Sequence, residues 1–285
     1  MPCASIMGAS AATVPRPERA GLATRLAAAA VLAPLAIAVA WVGGAVWVYA
    51  VAIVTVVALW EWSRMVDGGR LGQAGWPVIA AAAAVPVAIY GDSRIALAII
   101  AFCGVGAAVV TTKRRDLGCA IWMAGGAIYI VTAAWSFAWL RVAPGAGLGA
   151  VLWLLFAVWA SDAAAYAAGR LIGGPRLAPR VSPNKTWAGL LGAMLGASVV
   201  SGVFGAIWPR SPDPLLLGVA GLGIGLVGQG GDLLESVAKR RFGTKDSGTL
   251  IPGHGGVLDR IDALMAVTLA AALVYLSGQQ ELTWS

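Results

Sequence analysis

Nine low-charge apolar runs dominate this chain and decide what it can fold into: Leu26 to Val42, Ala45 to Trp60, Trp76 to Tyr90, Ile95 to Val110, Cys119 to Leu140, Leu148 to Gly169, Trp187 to Trp208, Leu215 to Gly230 and Ala263 to Leu276. With 59% hydrophobic and only 12% charged residues, the chain lies far from soluble averages. The expected fold class is all-α, a polytopic integral membrane protein of about nine transmembrane helices. Several runs fall short of the roughly 20 residues that a bilayer core of about 30 Å asks for, so they borrow flanking residues or sit where protein packs around them.

Cations orient the chain, because Lys and Arg beside short loops stay on the cytoplasmic side. With nine spans and a cytoplasmic amino terminus, 17 of the 20 Lys and Arg residues face the cytoplasm, and only Arg94, Arg141 and Arg210 lie outside. The inverted topology reverses that ratio. A polar lead precedes the first run and eight more runs follow, so that run reads as a retained span. The net charge of +7 is explained by cytoplasmic flanks meeting anionic headgroups, and there is no soluble basic module for nucleic acid. The expected location is a bacterial cytoplasmic (inner) membrane.

The polar material gathers in the carboxyl-terminal half. This gives a polar amino-terminal segment (1–25), a transmembrane scaffold (26–141) and a catalytic transmembrane region (148–285). Within the scaffold, Trp60, Glu61, Trp62, Ser63 and Arg64 read as a short cytoplasmic turn whose tryptophans suit an interfacial belt. In the carboxyl-terminal half two long cytoplasmic segments stand out, Arg170 to Lys185 and Gly231 to Asp262. The glycine and alanine abundance reads as close helix packing.

Asp162 lies within an apolar run, where an ionisable group is costly and is by default functional. A structural ion pair is the alternative. Asp162, Tyr166 and Arg170 share one helical face. Asp232, Glu235, Ser236 and Lys239 form a single stripe if the helix of the eighth run continues through them, and Asp259 and Asp262 do the same at the start of the ninth. Carboxylates in this number suit a hard cation such as Mg²⁺. Between these faces lie Lys245, Asp246, Ser247, Gly248 and then Pro252, Gly253, His254, Gly255, Gly256. Glycine amides beside a helix start provide a place for a triphosphate, although turn-making alone also explains such runs. His254, the one histidine, has three open roles: acid or base, phosphate donor, or loop filler. In Arg176 to Gly189, Pro179 and Pro183 deny a regular helix, Thr186 is placed to cap the next one, and Arg180 and Lys185 sit at headgroup level beside hydroxyls.

These residues resemble the phosphatidate cytidylyltransferase (CDP-diacylglycerol synthase) family. Its signature is met by Ser236, Lys239, Arg240, Lys245, Asp246, Gly248, Ile251, Pro252, His254, Gly255, Gly256, Val257, Asp259, Arg260, Ile261 and Asp262. Gly231, Asp232, Asp162, Tyr166, Gly169, Arg170, Ser182, Pro183, Lys185 and Thr186 also fit. One departure is Ala188, where many members carry Glu. The resemblance implies cytidylyl transfer from CTP to phosphatidic acid, giving CDP-diacylglycerol and pyrophosphate. It places Asp232, Asp259 and Asp262 on a divalent cation, with a second metal left open, and Lys239 among the catalytic groups. Lys245, Asp246, His254, Gly255, Gly256, Arg240 and Arg260 serve the nucleotide; Ser182, Lys185, Thr186 and Arg170 serve the headgroup side, and Asp162 orients these cations or joins the metal shell. Membrane lipids are the other expected partner, and a homodimer is an open expectation. A secondary transporter, a lipid kinase and a cytidylyltransferase for another lipid phosphate stay as alternatives.

Overall fold

A computed structural model of the protein describes residues 22–114, 116–251, 255–277 and 284. Every apolar run becomes helical: α1 (Leu22–Val42), α2 (Gly44–Val66), α3 (Gly75–Ala80), α4 (Ala84–Tyr90), α5 (Ser93–Arg114), α6 (Leu117–Val142), α7 (Gly147–Leu171), α8 (Trp187–Ile207), α9 (Pro214–Arg241) and α10 (Leu258–Leu276). The third run is split by a 3₁₀ turn, Ala81–Ala83, between α3 and α4. Pro86 explains the break, since its ring clashes with the carbonyl four residues earlier and removes one helical donor. The only strands among the described residues are β1 (Arg176–Ala178) and β2 (Ser182–Thr186), an antiparallel pair with an irregular register. Pro183 is tolerated there because a two-stranded ribbon leaves edges that need no donor.

Six helices, α2, α5, α6, α7, α8 and α9, are long and apolar enough to cross a membrane. The apolar segments Ala28–Val42 and Gly75–Tyr90 are shorter, and α10 opens with Asp259, Arg260 and Asp262. At 28 residues, α9 runs about 42 Å at 1.5 Å per residue, longer than a hydrocarbon core, so its charged end is free to lie beyond it.

The described residues fall into two compact units. One takes those up to 39, 45–135 and 239–260; the other takes 40–44, 136–238 and those from 261 onward. In the first unit, α2 continues as helix through Trp60 to Arg64, so the turn expected there is absent. Trp62 is buried instead of lying in an interfacial belt. Its Nε1 donates to the Met123 carbonyl at 3.3 Å, and Gly126 leaves the space that its indole fills. Trp122 links Trp62 to Phe242, with ring centroids 6.3 and 6.0 Å away.

The second unit is built on close backbone approach. Gly192 and Gly196 of α8 lie against Ala164, Ala168 and Ala160 of α7, and Gly221 and Gly225 of α9 meet the α8 backbone at Ala197 and Met194. Small residues four apart let helices approach where no hydrophobic force drives them together. Gly231 continues the pattern between α9 and α10: a Cβ there would lie 2.7 Å from the Asp262 carbonyl oxygen and 2.8 Å from the Ala266 Cβ.

Candidate active site

Most of the signature, residues 239–260, lies in the first unit and is organised by two carboxylates. Asp259, in the first turn of α10, is 9% exposed. Its Oδ1 accepts Lys239 Nζ at 2.7 Å, while Oδ2 accepts the amides of Ser247 at 3.0 Å and Gly256 at 2.9 Å. Burial pushes the Asp259 carboxyl up, but Lys239 and the two amides outweigh it and hold the group below the ordinary 3.8. The second carboxylate is Glu61 of α2, 1% exposed. Its Oε1 accepts the Val257 amide at 3.0 Å; its Oε2 accepts the Leu258 amide at 2.8 Å and the Ser247 hydroxyl at 3.2 Å. Glu61 thus caps the start of α10 from another helix, satisfying amides that a helix amino terminus leaves over.

This arrangement alters the reading of the glycines. The Gly256 amide, expected to face a triphosphate, donates to Asp259. A Cβ on Gly248 would lie 2.5 Å from Glu61 Oε1, and one on Gly256 would lie 2.5 Å from Glu61 Oε2. Gly255 has φ +83°, a backbone state that glycine adopts without strain, and its carbonyl accepts the Ile251 amide at 2.9 Å in an isolated bridge. Around this frame Arg240, Lys245, Asp246 and Arg260 are exposed, and Arg240 Nη1 donates to the Thr244 carbonyl at 3.2 Å. His254 and its neighbours Pro252 and Gly253 lie outside the described residues.

The second unit holds the other expected acids. α9 is unbroken through Asp232, Glu235 and Ser236, and Asp232 receives Lys185 Nζ from β2 at 2.8 Å. Asp262 precedes the apolar segment of α10. Burial, then the Asp232 and Glu235 carboxylates, push its carboxyl well above 3.8. Three hard oxygen donors crowded together are the chemistry a divalent cation relieves, and by donor type the set fits Mg²⁺. Among the described residues, however, no group of three or more His, Cys, Asp and Glu side chains is set to hold a metal as it stands.

On the headgroup side the residues differ in what they offer. Arg170 Nη1 donates to Tyr166 Oη at 2.8 Å, as their shared face predicts, and Asp162 on that helix is exposed. Ser182 is half-buried in β2. Thr186 is buried, and its Oγ1 accepts the Gly189 amide at 3.0 Å, so its hydroxyl caps α8 as expected. Glu61 is the residue that sequence reasoning missed. The signal available was a lone acid between two tryptophans at the end of an apolar run.

The cytidylyltransferase family profile matches residues 23–277. Phosphatidate cytidylyltransferase from Brucella suis is 38% identical over 262 residues, covering 90% of this chain and 93% of its own. The enzyme of the same name from Pseudomonas aeruginosa is 35% identical over 271 residues, covering 90% and 98%. That from Haemophilus influenzae is 44% identical over 127 residues, 42% of this chain and 43% of its own. A match across most of the chain, together with full-length relatives at this identity, shows that the chain belongs to the cytidylyltransferase family.

Proposed function

We propose that this protein is a phosphatidate cytidylyltransferase, converting CTP and phosphatidate to CDP-diacylglycerol and pyrophosphate. One observation carries the reading: relatives bearing that name align over 90% of the chain at 38% identity. The phosphate monoester of the lipid is already a nucleophile at neutral pH. Its oxygen attacks the α-phosphorus of CTP in line, the bond from that phosphorus to the bridging oxygen breaks, and pyrophosphate leaves. No serine or cysteine nucleophile is required.

The chain's own residues divide the work. Lys239, Lys245, Arg240, Arg260 and His254 bind the triphosphate, beside Asp246, while the Gly256 amide stays on Asp259. Lys185 and Arg170 take the phosphatidate headgroup, with Ser182 and Thr186 shaping that segment and Asp162 orienting the cations. Asp232, Asp262 and Asp259 would hold a divalent cation, which supplies neutralisation of the departing pyrophosphate charge. Lys185 and Lys239, each hydrogen-bonded to a carboxylate, are the donors placed to exchange that carboxylate for a substrate phosphate. The cation distribution supports nine spans with the amino terminus in the cytoplasm and the reaction at the inner face of a bacterial cytoplasmic membrane.

The test is purified protein with CTP, Mg²⁺ and a panel of lipid phosphates, following pyrophosphate and CDP-lipid. Phosphatidate should be the preferred acceptor, and chelation should stop the reaction. Asp232→Ala and Asp259→Ala should insert normally and lose product formation; retained turnover in either removes it from the metal set. Pyrophosphate release that does not depend on phosphatidate rejects the reaction itself.

A further inference from the structure

The Trp60-Glu61-Trp62 segment has no part in the reaction as described, yet it holds the most buried charged side chain near the signature. All three groups that meet the Glu61 carboxylate are donors: the amides of Val257 and Leu258 and the hydroxyl of Ser247. The same stretch carries Asp259, whose Oδ2 accepts the amides of Ser247 and Gly256. Ser247 is therefore shared, its hydroxyl on Glu61 and its amide on Asp259. Displacing Glu61 would release both ends of the loop that orients Asp259, and with it Lys239 on Oδ1. Glu61 itself has little freedom. Its neighbour Trp62 is wedged against Gly126 and anchored to the Met123 carbonyl.

We infer that Glu61 is a positioning residue for the signature loop, acting through the backbone of Ser247 and of Val257–Leu258 to set Asp259 and Lys239, without touching substrate. The requirement is for an acceptor-only group. Glutamine has nearly the same shape, but its amide nitrogen would have to face an N–H or an O–H on at least one side. Aspartate keeps the charge and falls one methylene short. The signature's small residues are matched to this carboxylate: side chains at Gly248 or Gly256 would collide with it. The loop and Glu61 thus form one unit although they stand 186 or more residues apart.

The identity of the affected substrate rests on the function proposed above, so the test reads the loop separately from turnover. Hydrogen exchange by mass spectrometry on purified wild type and Glu61→Gln should show peptides covering 247–258 exchanging about tenfold faster in the variant, with peptides of α7 and α8 unchanged. In the kinetic assay KM for CTP should rise while KM for phosphatidate holds. Gly248→Ala, which displaces the carboxylate without removing it, should give the same local pattern, and it carries the test if Glu61→Gln does not fold. Unchanged exchange over 247–258, or an equal rise along the whole chain, overturns the inference. A local rise in a protein whose wild type makes no CDP-diacylglycerol would leave the positioning role standing and reject the proposed reaction.

Discussion

Asp259→Asn should destabilise the protein nearly as much as Asp259→Ala, and removing Lys239 as well should restore much of the loss. Lys239 Nζ and the amides of Ser247 and Gly256 all donate to this carboxylate, and the side chains of Lys239 and Asp259 are 13% and 5% exposed. Asparagine offers one acceptor oxygen and one donor. If its oxygen takes the two amides, its NH₂ faces the ammonium; if it is flipped, the NH₂ faces the amides. Either way a buried donor is left opposite another donor. Breaking a buried pair from one side costs about 3–5 kcal/mol. With about 2–4 °C of melting shift per kcal/mol for chains of this size class, Tm in detergent should fall by roughly 10 °C. In Lys239→Met/Asp259→Asn the ammonium is gone and the asparagine oxygen accepts both amides, so more than half of the fall should be recovered. Tryptophan fluorescence on heating reads wild type, Asp259→Ala, the single variants Asp259→Asn and Lys239→Met, and the double variant. A double variant that loses the sum of the two single losses refutes the donor accounting.

Three further outcomes are expected. Because the Asp259 carboxyl is held below 3.8 in the folded protein, its stabilisation is present above the unfolded value and is lost as pH falls through the lowered one; Tm of wild type should therefore drop more steeply below about pH 4 than Tm of Asp259→Asn. Gly231→Ala should cut turnover by about a hundredfold through a sub-ångström separation of α9 from Asp262, whereas Gly228→Ala, whose Cβ would meet Ala263 and Val267 at 3.6 and 3.7 Å, should stay near wild type in the same assay. Thr186→Ala should lower stability by about 1 kcal/mol through loss of the α8 cap, and Thr186→Ser should restore it; an alanine variant with unchanged Tm would count against the cap.

Helix positions were legible because an apolar run long enough to enter a bilayer declares itself without reference to the rest of the chain. Close packing was legible only as an abundance of glycine and alanine; the pairs that carry it, Gly192 with Gly196 and Gly221 with Gly225, are singled out by their neighbours in the fold. The break at Ala81–Ala83 required weighing Pro86 against an otherwise uniform apolar segment. The hairpin of β1 and β2 was visible only as the absence of helix between Pro179 and Pro183. The end of α2 was misread because Trp-Glu-Trp-Ser-Arg after an apolar run has the composition of a membrane-surface turn. What keeps it helical is tertiary: Trp62 in the space left by Gly126, and Glu61 on amides nearly two hundred residues away.

The site divides along the same line. Acids and cations on a continuous helix could be read from spacing, and α9 does carry Asp232, Glu235 and Lys239 in that order. Glycines in a phosphate-handling loop invite the view that bare amides await an anion, yet here the amides at the start of α10 and at Gly256 already donate to Glu61 and Asp259. Two internal carboxylates occupy the place a helix amino terminus would offer to phosphate. On the function proposed above, phosphate recognition would fall to side chains that can be rearranged, Lys239 and Lys185 first, because each is hydrogen-bonded to a carboxylate that a divalent cation could claim. Gly248 and Gly256 keep their necessity for a different reason: they make room for Glu61, and a chain with the full signature but no acid at that position should have a loop that no longer holds Asp259.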